Sequence, residues 1–221
     1  MIDAVVFDLD GVLIDSERVW DTAREQLVRE RGGRWHGRAQ RDMMGMSSNE
    51  WSQYMHDELR LPEPPEEINE EVVRRMTGLY REHLPLLPGA REAVERLSEG
   101  RPLGLATSSN RPILDLVLKL AGLEEYFYVT VSSEEVGRGK PAPDVYLEAG
   151  RRLGVAPERC AAIEDSHNGI RSAHAAGMRV VAIPNRQFTP DAEALGLADV
   201  VLDSLEELSP EVVDGSAASR P

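Results

Sequence analysis

Cysteine, lysine and long apolar runs are all scarce in this chain of 221 residues. The single cysteine, Cys160, excludes an internal disulfide and, without companions, a thiolate metal site. Because it opens the apolar segment Cys160-Ala-Ala-Ile163, we interpret it as a thiol of the core. No stretch approaches the roughly 18 consecutive apolar residues of a membrane-spanning helix, and no signal peptide is visible. We therefore expect a soluble, cytoplasmic protein without a membrane partner.

Positive charge is also in short supply, since the formal net charge is −14. That charge would repel the phosphates of DNA or RNA, and no basic stripe reverses it locally, so we expect no nucleic-acid partner. Of the 25 basic residues, only Lys119 and Lys140 are lysines. In a chain that uses arginine almost everywhere, a retained lysine indicates a place that needs a compact ammonium group.

Short apolar segments alternate with amphipathic helical segments along most of the chain. The predicted strands are residues 3–7, 103–106, 126–132, 161–163 and 179–183, and a weaker pair of segments follows at 200–202 and 205–208. The predicted helices are residues 90–98, 113–121, 144–153 and 168–176. Strands that alternate with single helices predict an α/β fold with a doubly wound parallel sheet.

Residues 16–84 interrupt this alternation. They carry helical patterning that is broken at Gly32-Gly33, at Met44-Gly45 and at residues 62–65. We interpret them as a helical cap inserted into an α/β core that consists of residues 1–15 and 85–208. Two short connections of this kind suit a hinged lid. The small, polar tail at residues 209–221 is predicted to be disordered.

Polar and charged groups follow four of the predicted strands. They are Asp8-Leu-Asp10-Gly11, Thr107-Ser108-Ser109-Asn110, Gly137-Arg-Gly-Lys140-Pro141 and Glu164-Asp165-Ser166, in chain order. Ligands of open parallel sheets bind outside the carboxyl ends of the strands. The sequence therefore predicts that these groups share one site.

The acidic groups of this site predict a metal ion. Asp8, Asp10, Glu164 and Asp165 would lie close together, and two like charges about 4 Å apart repel by roughly 4 kcal/mol at an effective dielectric of 20. Lys140 supplies one positive charge, and a hard cation bound by oxygens supplies the rest. Carboxylates without histidine or cysteine favour Mg²⁺.

The end of the second strand predicts an anion site. A helix with Pro112 in its first turn follows, so hydroxyls and free backbone amides face a ligand above the sheet. The candidate phosphate-binding residues are Gly11, Thr107, Ser108, Ser109, Asn110 and Lys140. Asp8 is then placed to attack phosphorus, and Asp10 to protonate the leaving alcohol and to deprotonate water. Thr107 and Lys140 would stabilise the charge on the transferring oxygens.

Each motif alone has a plainer interpretation as a turn or a helix cap. Turns and helix caps do not explain why all four motifs occur together in this order. By these four motifs, the chain resembles the haloacid dehalogenase superfamily over residues 2–208, and within it the beta-phosphoglucomutase-like phosphatase branch. The segments that carry the resemblance are Asp8-Leu-Asp-Gly-Val-Leu-Ile-Asp-Ser16, Thr107-Ser-Ser, Gly139-Lys-Pro-Ala-Pro-Asp144 and Ile163-Glu-Asp-Ser166.

The resemblance implies a Rossmann-like core with a helical cap, in which Asp8 is the nucleophile and Asp10 the acid/base. It also implies that Mg²⁺ is held by Asp8, the Asp10 backbone carbonyl and the Glu164-Asp165 pair. Phosphomutases of this branch carry a histidine where Trp20 stands, and cations around the cap loop at residues 41–49. Met44 and Ser48 of this loop cannot grip a second phosphate.

We therefore predict a monomeric phosphatase that acts on a small phosphorylated metabolite such as a sugar phosphate. A phosphomutase is one alternative, against which the missing cap cations argue. A phospho-accepting signalling switch is an alternative of another class, disfavoured by the cap and by Asp10. An inactive binding protein ranks last, because no core catalytic position is replaced. Trp20, Trp35 and Trp51 are interpreted as cap core rather than as a substrate platform.

Overall fold

The computed structural model describes residues 1–44, 46–185 and 188–216. Six parallel strands form one sheet in the order β3-β2-β1-β4-β5-β6. The strands are β1 Ala4–Phe7, β2 Leu103–Thr107, β3 Phe127–Ser132, β4 Cys160–Glu164, β5 Arg179–Ala182 and β6 Val200–Val201. The predicted α/β class with a doubly wound parallel sheet is confirmed.

Both faces of the sheet are covered. Val5 and Phe7 of β1 lie in one apolar cluster, and Ala4 and Val6 lie in a second cluster on the other face. Two buried faces explain why these strands are continuous apolar runs rather than alternating ones. The Cys160 thiol is free and buried, which confirms its interpretation as a core group, and burial raises its pKa to about 11.

Ten helices lie among the described residues. They are α1 Glu17–Glu30, α2 Ala39–Met43, α3 Ser48–Asp57, α4 Pro65–Glu82, α5 Ala90–Ser98, α6 Arg111–Ala121, α7 Asp144–Leu153, α8 His167–Ala175, α9 Ala192–Leu195 and α10 Pro210–Asp214. Within this described part of the chain, no helix is long and apolar enough to cross a membrane. The weak segment at 205–208 is a 3-10 turn, Leu205–Glu207, rather than a strand.

The segment at residues 16–84 contains α1 to α4 and, in its described part, no strand. Its breaks agree with the sequence: α1 ends at Glu30, just before Gly32, and α4 begins at Pro65. The two connections to the sheet run side by side, because the Asp15 amide donates to the Pro85 carbonyl at 2.8 Å. The division into a cap and a core stays a prediction.

The predicted disorder of the tail is wrong for residues 209–216. Ser209 caps α10 by accepting a hydrogen bond from the Val212 amide, and Val213 is buried. Asp214 accepts from the Ile2 amide at 2.9 Å and pairs with Arg101 at 3.2 Å. These contacts order a segment whose composition is small and polar. Residues 217–221 of the predicted tail lie outside the described residues.

The topology places the candidate site between two neighbouring strands. The chain proceeds from β1 outwards to β3, then returns to β4 on the other side of β1. Phe7 and Ile163 are register partners, so Asp8 and Glu164 stand next to each other at the carboxyl end of the sheet. This reversal of strand order is where such sheets open a crevice for a ligand.

Candidate active site

A cavity of about 690 Å³ lies at this reversal and is lined by residues of the sheet ends and of the helical segment. A volume of this size is that of a small-molecule site. The sheet side contributes Asp8, Asp10, Ser108, Ser109, Lys140, Asp165, Ser166, His167, Asn168, Phe188, Thr189, Pro190 and Asp191. The helical segment contributes Glu17, Trp20, Arg24, Arg41, Met43, Met44, Met46 and Trp51.

Three buried carboxylates form a cluster at the centre of the site. Asp8, Glu164 and Asp165 each offer an oxygen within 4.8 Å of the others. Lys140 Nζ lies 3.0 Å from Asp8 Oδ2 and 2.7 Å from Glu164 Oε1. One ammonium group therefore faces three acidic groups, which leaves a deficit of positive charge.

The pKa shifts report this deficit. Burial raises the pKa of Asp8 well above its usual range; Lys140 opposes the shift, and Glu164 adds to it. Burial raises the pKa of Asp165 as well, and Glu164 and Asp8 add to the rise. Burial alone would lower the pKa of Lys140, but Asp8 and Glu164 raise it above its ordinary value. An all-oxygen cluster with unmet negative charge fits a hard divalent cation such as Mg²⁺.

Glu164 is fully hydrogen-bonded within the protein. Its Oε1 accepts from Lys140 Nζ and from the Tyr146 hydroxyl, each at 2.7 Å. Its Oε2 accepts from the amides of Asp165 and Ser166 at 3.0 and 3.3 Å and from Ser166 Oγ at 3.2 Å. Glycine is required at position 169, because a Cβ there would lie 1.9 Å from the Glu164 carboxyl carbon. This geometry positions Lys140 and leaves Glu164 little capacity for a metal.

Asp165 presents the opposite case. Its carboxylate is buried, lines the cavity and accepts no hydrogen bond from any residue that the structure describes. Gly11 allows its approach: Gly11 has a φ of +77°, and a Cβ there would lie 2.0 Å from Asp165 Oδ2. Gly11 itself does not line the cavity. Asp165 and Asp8 thus fit a metal better than Glu164 does.

The Asp10 side chain lies apart from this cluster. Its Oδ1 accepts from Trp20 Nε1 at 3.0 Å, and its Oδ2 accepts from Ser109 Oγ at 2.7 Å and from Thr107 Oγ1 at 3.3 Å. Of the four predicted carboxylates, the structure therefore brings three together and holds the fourth by donors from α1 and from the end of β2.

The predicted phosphate-binding residues after β2 divide into two groups. Ser108 and Ser109 line the cavity, and the buried Ser108 Oγ has no partner among the described residues. Thr107 is buried beneath them, accepting from the Ser109 amide at 3.0 Å. The Asn110 amide group donates to Asn69 at 3.0 Å and to Glu134 at 2.7 Å, away from the cavity. The side-chain amide of Asn110 therefore has no hydrogen left for a phosphate.

Comparison with known proteins decides the family. A sequence model of the haloacid dehalogenase-like hydrolases matches residues 2–177. The chain belongs to this family. Hexitol phosphatase B of Escherichia coli K12 is 38% identical over 212 residues, which cover 93% of this hydrolase and 94% of that protein. A probable pseudouridine-5'-phosphatase of Drosophila melanogaster is 33% identical over 213 residues, covering 93% and 91%.

Solved structures agree with this assignment. CbbY from Rhodobacter sphaeroides in complex with phosphate superposes on the hydrolase with a TM-score of 0.86 at 29% identity, covering 97% of this chain and all of that one. The predicted resemblance is confirmed. The predicted enzyme class, a hydrolase of phosphoric monoesters, is confirmed at the level of these relatives.

Helix α1 gives the hydrolase two site residues that the sequence analysis missed, Glu17 and Arg24. With Trp20 they stand at positions i, i+3 and i+7, which share one face of a helix. This spacing is the feature of the sequence that could have identified Glu17 and Arg24 as neighbours of Trp20. Burial and Asp10 raise the pKa of Glu17 to about 7, and Arg24 opposes the rise. Arg24 and Arg41 both line the cavity, so this side carries positive charge even though Met44 and Ser48 supply none.

Proposed function

We propose that this hydrolase removes phosphate from a small phosphorylated metabolite, using Mg²⁺ and an aspartyl-phosphate intermediate on Asp8. The observation that carries the proposal is the position of Asp8. It follows β1 at the reversal of strand order, lines the cavity and contacts Lys140 Nζ at 3.0 Å. Relatives named as phosphatases of a hexitol and of a nucleotide support a phosphorylated polyol or sugar as substrate.

Asp8, Asp165 and the backbone carbonyl of Asp10 are the groups that would hold Mg²⁺. When bound, the ion supplies positive charge that offsets the carboxylates and the transferring phosphoryl oxygens. We assign Glu164 to the positioning of Lys140, because both of its oxygens already accept hydrogen bonds from the protein.

The first half-reaction uses Asp8 and Asp10. A carboxylate oxygen of Asp8 attacks phosphorus, the bond between phosphorus and the ester oxygen breaks, and the leaving oxygen takes a proton from Asp10. Lys140 stabilises the negative charge on the phosphoryl oxygens. The Ser108 hydroxyl, which has no partner among the residues that the structure describes, is the other phosphate donor that we assign.

The second half-reaction releases the phosphate. Asp10 removes a proton from water, the water oxygen attacks phosphorus, and the bond between phosphorus and the Asp8 oxygen breaks. Inorganic phosphate leaves, and both aspartates return to their starting protonation states. Thr107, Ser109 and Trp20 hold the Asp10 carboxylate for both steps.

A phosphomutase is the second candidate, because Arg24 and Arg41 offer cations to a second anionic group. A mutase returns phosphate to an acceptor sugar phosphate, whereas a phosphatase gives it to water. Product analysis separates the two: phosphorus NMR of a reaction on a hexose phosphate shows inorganic phosphate for the hydrolase and an isomeric sugar phosphate for the mutase.

The test of the proposed function is phosphate release from p-nitrophenyl phosphate, with Mg²⁺ and with a chelator. The variant Asp8→Asn should lose at least about 10³-fold in kcat, because an amide cannot act as the nucleophile. Asp3→Asn is the matched control, since Asp3 lies just before the other end of β1 and pairs with Arg159. A burst of p-nitrophenol in the first turnover would support the covalent intermediate. Unchanged turnover in Asp8→Asn would contradict the mechanism.

A further inference from the structure

Arg24 is a buried cation that lacks a hydrogen-bonded partner in the part of the chain that the structure describes. It belongs to α1 and is only 7% exposed. Its guanidinium carbon lies over the rings of Trp20 and Trp51, 4.6 and 4.8 Å from their centroids. Among the described residues it makes no hydrogen bond and no ion pair, and its Nε is buried and unpartnered.

Such an arrangement is costly in isolation. Removing a cation from water disfavours its charged form unless nearby groups compensate. Here burial lowers the pKa of Arg24 to about 10, and the charges of Glu17, Asp10 and Asp21 oppose this fall. None of these carboxylates reaches within ion-pair distance of the guanidinium. Glu17 compensates only in part, because its own pKa is raised to about 7.

The two tryptophan rings stabilise the cation without accepting its hydrogen bonds. A cation–π contact is an attraction to the face of the ring, so the N–H donors of the guanidinium are still available to an acceptor. Those donors form a rigid fork that matches the two oxygens of a carboxylate or a phosphate. Arg24 lines the same cavity as Asp8 and Lys140, so a single small molecule can touch both ends.

We propose that Arg24 binds a second oxyanion of the substrate, a carboxylate or a second phosphate, at the end remote from the phosphoryl group on Asp8. This proposal rests on the proposed function and narrows its substrate class. The substrate is then a phosphate monoester with a further anionic group, and Arg24 is the residue that selects it. Arg41, which lines the same cavity, adds positive charge at this side.

The experiment compares matched substrates. The probes 6-phosphogluconate and glucitol 6-phosphate differ only in a terminal carboxylate against a hydroxymethyl group, and glucitol 1,6-bisphosphate carries a terminal phosphate instead. For the wild type we expect kcat/KM for at least one anionic probe to exceed that for glucitol 6-phosphate by about tenfold or more. This is the effect expected of one hydrogen bond to a charged group. The preferred anionic probe identifies the oxyanion as carboxylate or phosphate.

The variant Arg24→Met tests the residue. Methionine fills the space beside two aromatic rings without a charge. The ratio of kcat/KM between the anionic and the neutral probe should fall from about tenfold or more to near one, and Arg24→Lys should retain part of the preference. The control is Arg18→Met, an exposed arginine on the same helix, which should keep the wild-type ratio.

Two results would overturn the proposal: a wild-type ratio of one or less for both anionic probes, or an unchanged ratio in Arg24→Met. The wild-type ratio decides even if that variant does not fold. Failure of the proposed function has a different signature. In that case the wild type would show no phosphate release that depends on Mg²⁺ and Asp8. This would hold for every probe, including p-nitrophenyl phosphate.

Discussion

The two sides of the cavity treat their polar groups differently. On the sheet side, Glu164 accepts five hydrogen bonds and Asp10 accepts three, all from the protein itself. On the side of the helical segment, Arg24 is buried and makes none to the described residues. On the sheet side, Glu164 and Asp10 are therefore fixed before a substrate arrives, while Asp165 and Ser108 stay open to a metal and a phosphate; on the other side, the Arg24 donors have no partner among the described residues.

This difference separates two tasks. Groups fixed by the protein stay in place while charge moves, which is how a site stabilises a transition state without reorganising. Donors that lack a protein partner contribute only when a ligand with the right acceptors arrives. We therefore assign the chemistry to the sheet side and the choice of substrate to α1. Substitutions of Lys140, Glu17 and Trp20 test that division.

Lys140→Met should have the largest effect, because it removes the only ammonium group within bonding distance of Asp8 and Glu164. We expect kcat to fall by about 10³-fold and the free energy of unfolding to fall by about 3 kcal/mol, since breaking a buried ion pair leaves an uncompensated charge. Phosphate release and urea unfolding measure the two effects. The control is Lys119→Met, which removes the other lysine from an exposed position on α6. If Lys140→Met and Lys119→Met lost equal kcat and equal free energy of unfolding, the role assigned to Lys140 would be refuted.

Glu17→Gln should change how stability depends on pH in the metal-free protein. The raised pKa of Glu17 means that the folded state binds its proton more tightly than the unfolded state. Its contribution is present at acid pH, below the ordinary value, and is lost as the pH rises through about 7. Between pH 5 and 8 the wild type should lose about 2 kcal/mol more than Glu17→Gln.

Urea unfolding at several pH values measures this difference. Glu66→Gln is the control, because Glu66 is an exposed carboxylate in the first turn of α4. Parallel pH dependences for the wild type and Glu17→Gln would show that the Glu17 carboxyl stays in water, and α1 would then not form a desolvated wall of the cavity.

Trp20→Phe should have the smallest effect of the three. It keeps an aromatic ring but removes the donor 3.0 Å from Asp10 Oδ1. We expect kcat/KM for glucitol 6-phosphate to fall by about tenfold, the value of one hydrogen bond to a charged group. The fall should be smaller for p-nitrophenyl phosphate, because nitrophenolate leaves without protonation. Trp35→Phe, outside the cavity, is the control. If Trp20→Phe lowered kcat/KM equally for both substrates, a role of Trp20 in positioning Asp10 would be excluded.

Much of the fold could be predicted because its strands are buried on both faces and end abruptly at polar residues. Asp8 and Glu164 mark the ends of β1 and β4, and the parallel arrangement then brings them to one rim. The tail could not be predicted from composition alone. Ser209 and Pro210 are a helix start, but what orders α10 is the contact of Asp214 with Ile2 and Arg101.

The partners of the individual site residues depend on tertiary contacts that cannot be inferred from the sequence motifs. Asn110 turns towards Glu134 and Asn69, which are distant in sequence. Glu164 is occupied because Tyr146 and Lys140 converge on it from other elements. Arg24 contacts Trp51 as well as Trp20 because α3 brings Trp51 beside α1. The motifs therefore indicate which residues meet, but not which of them are already hydrogen-bonded.

The apolar cluster on one face of the sheet has a consequence for folding. That cluster includes Phe7 and Leu105 of the sheet together with Leu27 and Met76 of the helical segment. The apolar interior of the helical segment is continuous with that of the sheet, so each part stabilises the other. Denaturation should then dismantle both parts in one cooperative transition, so that substrate selection and catalysis are lost together rather than in stages.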